Sequence, residues 1–129
     1  MDVLLKPEVE LDEAFKALMK TQPESCTILH CSFDCTIDTL MRIWPSTFLI
    51  QNDGARKKLI KAFKISIMPE WTLCVVNNNK ASFTLVFEGL SKGCTDFYML
   101  EDIPEPGGFY SDPIERNETD VYVTDVFSD

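Results

Sequence analysis

A chain of 129 residues, 45% hydrophobic and 26% charged, is long enough to bury a core as one domain, and its composition is neither that of a disordered chain nor that of a membrane span. A formal charge of −9 opposes attachment to phosphate backbones or anionic lipid, which is driven by Lys and Arg, so neither nucleic-acid binding nor membrane insertion is expected. Five cysteines, Cys26, Cys31, Cys35, Cys74 and Cys94, lack the regular spacing of a disulfide scaffold; their odd number leaves at least one thiol free in a monomer, and the simplest reading is a chain kept reduced.

The opening MDVLLKPEVELDE has no basic segment followed by an apolar stretch, and residues 1–12 read as a loose N-terminal segment of a single domain spanning 1–129. This points to the cytoplasm, with the periplasm or cell envelope as the alternative if a leader has been removed. Residues 11–21 keep helical and strand spacing equally well. After the polar break at 22–25, Thr27, Leu29, Cys31 and Phe33 alternate as one face of a strand. Pro45 argues against a helix through 42–50, and Ser46-Thr47-Phe48-Leu49-Ile50 reads as a short strand. Asn52-Asp53-Gly54 is a hairpin signal, and residues 59–68 should return as a strand ended by Pro69. The strongest alternation follows at 81–102: Phe83, Leu85 and Phe87 share a face, Gly89 to Gly93 supplies turn chemistry, and an aromatic-rich run restarts at Thr95. The whole stretch reads as a core hairpin. Residues 103–117, with three prolines and two glycines, read as a long loop, and residues 121–127 as a last strand.

Seven or eight short strands without a strand–helix repeat favour an all-β antiparallel sandwich, with a closed barrel as the structural alternative. The segments SCTILHCSF, WPSTFLIQNDGARKKLIKAFKISI, KASFTLVFEGLSKGCTDFYMLED and VYVTDVF, in this order, resemble the immunoglobulin-like β-sandwich accessory domain of exported Bacteroidetes proteins, often found beside a thioredoxin-like domain. The resemblance implies an immunoglobulin-like sandwich, a strand at 11–21 and a non-catalytic accessory role.

No residues stand out as catalytic, and no metal or cofactor is expected. His30 and Cys31 point to opposite faces of a strand, and the cysteines near them lack metal-ligand spacing, so core packing and a surface imidazole account for them. Asp96, Glu101, Asp102, Asp112, Glu115, Glu118 and Asp120 follow no calcium-loop pattern and read as solvated loop charge. The basic run from Arg56 to Lys64 reads as edge protection. Trp44, Trp71, Phe109 and Tyr110 lie at strand ends or in loops, where a sandwich carries its binding surface, and are the partner-binding candidates; each could instead plug an end of the core. The expectation is a protein-interaction module with no enzymatic activity, its partner another protein. A small-ligand or glycan-binding domain that stacks its ligand on loop aromatics is the alternative, favoured by an exposed patch containing Trp44 or Trp71.

Overall fold

A computed structural model describes residues 26–128, and the readings placed on 1–12, on 11–21 and on the turn at 22–25 lie outside them. Among the described residues eleven strands follow one another: β1 (Cys26–Asp34), β2 (Thr39–Ile43), β3 (Thr47–Gln51), β4 (Arg56–Phe63), β5 (Ser66–Ile67), β6 (Thr72–Cys74), β7 (Lys80–Glu88), β8 (Asp96–Glu101), β9 (Phe109–Tyr110), β10 (Ile114–Glu115) and β11 (Val121–Ser128). Seven of them close on themselves in the order β8-β3-β4-β7-β1-β11-β9 and back to β8 through Leu100 and Tyr110. β10 adds a short pairing to β8, and β5-β2-β6 form a separate three-stranded sheet.

The molecule is therefore a closed β-barrel, not the immunoglobulin-like antiparallel sandwich that the resemblance implies. Two pairings make the difference. β1 lies parallel to β11, with Ile28 opposite Val121 and Phe33 opposite Val126. β9, only two residues long, pairs with β11 on one side and β8 on the other, and so removes the open edges that a two-sheet sandwich keeps.

β7 and β8 are not a hairpin either. β7 pairs with β1 and β4, β8 pairs with β3, and the β3–β4 hairpin stands between them. The connection from Gly89 to Thr95 instead crosses the end of the barrel, burying Leu90 and Cys94. Arg116 fixes it there. Its guanidinium donates to the carbonyls of Ser91 at 2.6 Å and Cys94 at 3.3 Å, and forks onto Asp120 at 3.2 and 3.1 Å. The Tyr122 hydroxyl donates to the same Asp120 at 2.7 Å, and burial, with the nearby carboxylate, pushes the phenol up to about 12.

Inside, the alternation of β1 and β7 is realised as read. Leu29, Cys31, Phe83, Leu85 and Phe87 fill one cluster, as side chains fill any barrel this small. A second, smaller cluster of Cys26, Ile28 and Val86, with Ile60 and Phe63 beside it, takes the opposite faces of β1, β7 and β4. The expected strand at 59–68 breaks at Lys64, whose φ of 66° ends β4, and β4 itself bulges between Leu59 and Lys61. β4 is no edge strand, since β3 and β7 flank it; its exposed lysines face solvent from the barrel wall. Asn52-Asp53-Gly54 does make the β3–β4 reversal. Gly54 sits at φ 88°, and Asp53 accepts the Ala55 amide at 2.9 Å, which holds its carboxyl below the usual range.

Candidate functional site: the outer face of β2 and β6

The connections β1–β2, β2–β3, β4–β5 and β6–β7 all leave the same rim of the barrel, where the small sheet sits. Strand alternation splits that sheet in two. Met41 and Ile43 of β2 and Cys74 of β6 turn inward and join the main cluster. Leu40 of β2 and Leu73 of β6, paired directly across the strands, turn outward and are 59% and 57% exposed. One step further along the same register, Arg42 meets Trp71, its guanidinium 4.1 Å from the ring centroid and 6.0 Å from that of Trp44. In the other direction the register brings Asp38 beside Val75, and the Asp38 carboxylate accepts the Val76 amide at 2.9 Å. Val75, 68% exposed, extends the apolar surface.

This face is apolar at its centre and carries one charge of each sign at its two ends. Arg42 forms no ion pair among the described residues; besides the two rings it reaches only the Pro69 carbonyl, at 3.4 Å. Leu40, Trp71, Leu73 and Val75 together expose roughly 450 Å², within the range of the largest patch found on an ordinary monomer.

The four aromatic candidates divide between two places. Trp71 is 54% exposed and lies on the face, and Trp44, half-buried, stands at its border. Phe109 is inside the barrel, 7% exposed, edge-on to Phe33 at 5.1 Å and tilted against Phe83 at 5.8 Å. Tyr110 is half-buried against Phe127 at 5.7 Å. Glu101 ties the two places together: one carboxylate oxygen accepts the Trp44 amide at 2.8 Å and the other accepts the Phe109 amide at 2.9 Å. It is 5% exposed rather than solvated, and burial raises its pKa despite those two hydrogen bonds. Asp120 is buried too, under Arg116 and Tyr122. The signal for Glu101 was present in the sequence, since Phe97, Met99 and Glu101 share one parity of β8 and all three are buried.

Elsewhere the chemistry is sparse. His30 faces away from Cys31, with Nδ1 2.8 Å from Thr84 Oγ1, and burial pushes the Cys31 thiol far up. All five cysteines are free thiols, and no group of three metal-ligating side chains forms among the described residues. The Leu40–Leu73 pair went unnoticed in the sequence because three-residue β6 is too short to show a period, and neither leucine stands out without its partner.

A small closed all-β barrel carrying a three-stranded sheet on one rim is the class of protein these strands define. No family model matches the chain, and searches of curated proteins and of solved structures yield no match. The likeness to the Bacteroidetes accessory domain is thus unsupported in both fold and kinship, and with it the association with thioredoxin-like domains.

Proposed function

We propose that this domain is a non-catalytic interaction module that binds another protein through the outer face of β2 and β6. The observation that carries the reading is the exposed Leu40–Leu73 pair flanked by Trp71 and Arg42. Apolar area at the centre with Trp and Arg at the margin is the composition of a protein–protein hot spot. The barrel beneath it is a scaffold. Its interior is filled by apolar side chains and its wall exposes Arg56, Lys58, Lys61 and Glu88, the inverse of a barrel that crosses a membrane.

An exposed tryptophan on a flat face also meets the main requirement of a glycan-stacking site. Two features weigh against that reading: the Arg42 guanidinium already covers one face of the Trp71 ring, and the neighbouring side chains are aliphatic, with few groups to bond sugar hydroxyls. A photo-crosslinking residue placed at Leu73, in cells that carry the gene, is expected to capture a protein, whereas the same residue at Lys58 on the barrel wall captures none. Equal capture from both positions, or none from Leu73, would sink the proposal. Titration with simple oligosaccharides that shifts tryptophan fluorescence would turn the assignment toward the glycan reading.

A further inference from the structure

The face is complementary to itself. Along β2 and the residue before it the outward positions run Asp38, Leu40, Arg42, acid and base equally spaced about a leucine; along β6 and the residues flanking it they run Val75, Leu73, Trp71, apolar throughout. A two-fold axis lying in the interface along the Leu40–Leu73 pair, across the strands, lays β2 of one molecule antiparallel over β2 of the other. Each Leu40 then meets its own copy, and each Asp38 meets the other molecule's Arg42. Among the described residues Arg42 makes no direct ion pair and feels the Glu101 charge only from beyond contact distance, and Asp38 spends only one carboxylate oxygen on the Val76 amide. The apolar area of roughly 450 Å² per molecule, with its charged ends added, suits a small, reversible interface, below the roughly 800 Å² per partner of a standard stable one.

We infer that the partner seated on this face is a second copy of the chain, in an isologous dimer of stacked β5-β2-β6 sheets. The inference rests on the interaction reading above and names its partner. Opposing it is the repulsion of two chains of charge −9, which physiological salt screens beyond about 8 Å.

The test is sedimentation equilibrium of the full chain at physiological salt, with three variants. The unmodified protein should show reversible, concentration-dependent dimerisation. Asp38→Arg and Arg42→Asp should each weaken it by about tenfold or more, because each sets like charges together twice. An equimolar mixture of the two variants should restore it, since a mixed dimer again pairs opposite charges at both ends. Loss of folding in either variant could not be mended by mixing.

Leu40→Cys needs no charge change and should form an intermolecular disulfide under mild oxidation faster than Val123→Cys, a control on the barrel wall that is even more exposed, 80% against 59%. Dimerisation that ignores both charge variants, or a thiol introduced at position 40 that crosslinks no faster than one at position 123, overturns the inference. A monomer at every concentration whose Leu73 photoprobe still captures a foreign protein overturns the dimer alone. A monomer whose probe captures nothing overturns the interaction reading with it.

Discussion

Glu101 is the residue at which opposing terms meet. Two amide hydrogen bonds favour its ionised form and loss of water disfavours it; burial wins, so the carboxyl takes up a proton more readily in the folded protein than in the unfolded chain. Glu105 adds to the rise and Arg42 offsets part of it. For an acid with a raised folded pKa, the contribution to stability is fully present below the unfolded value and is lost as pH rises through the folded one. Glu101→Gln cannot titrate. The difference in unfolding free energy, wild type minus variant, should therefore shrink as pH climbs from 4 into the neutral range, a trend that denaturant melts at stepped pH would measure. A difference that grows with pH would mean that the Trp44 and Phe109 amides outweigh the burial. At this scale the sequence was legible wherever alternation was long: Phe83, Leu85 and Phe87 are all buried as their spacing requires. Glu101 was not, because an acidic pair at the end of a strand looks like solvated charge unless the parity set by Phe97 and Met99 is followed through it.

β9 is the element on which closure depends, and the sequence hid it. Residues 103–117 carry Pro104, Pro106, Gly107, Gly108 and Pro113, all loop chemistry, yet Phe109 and Tyr110 within that stretch pair with β8 and β11 and shut the barrel. Two residues cannot display a period of two, so no reading of alternation could find them. The long strands β1, β7 and β11 and the Asp-Gly hairpin were visible; their neighbours in the sheet were not, because pairing across the barrel is fixed by seam contacts remote in sequence. Gly108 shows how tight the seam is. A Cβ there would stand 2.7 Å from the Glu101 carbonyl oxygen and 3.4 Å from Ile103, and the carbonyl belongs to backbone that cannot swing aside. Gly108→Ala should consequently push β9 off β8 and lower stability by about 1–3 kcal/mol, the usual range for forced overpacking. Hydrogen exchange should speed up at Tyr110 and Phe127 before it does in β7. Unchanged exchange at the seam, with unchanged stability, would show that β9 has room to shift and that closure rests on other contacts.

On the scale of the whole molecule, the barrel and the sheet on its rim form one body, because the inner residues Met41, Ile43 and Cys74 of the small sheet belong to the same cluster as Leu29, Cys31 and Phe83 of the barrel. A three-stranded sheet with two- to five-residue strands and one bare face is too small to stand alone. The interaction surface proposed for its outer side is therefore only as firm as the core beneath its inner side. The native thiols can test this without mutation. Cys31 lies in the barrel and Cys74 in the small sheet; both are buried, and burial raises the pKa of both, with Cys35 adding to the rise at Cys74, so each should react slowly with a thiol reagent in the folded protein. Pulse labelling across a denaturant series, read by peptide mass spectrometry, should give Cys31 and Cys74 the same midpoint, as one cooperative unit requires. If Cys74 becomes reactive at clearly lower denaturant than Cys31, the small sheet opens while the barrel stays closed. A partner, whether a second copy or another protein, would then meet a surface that must first be ordered, and the association constant would be reduced by the fraction of molecules in which β2 and β6 are docked.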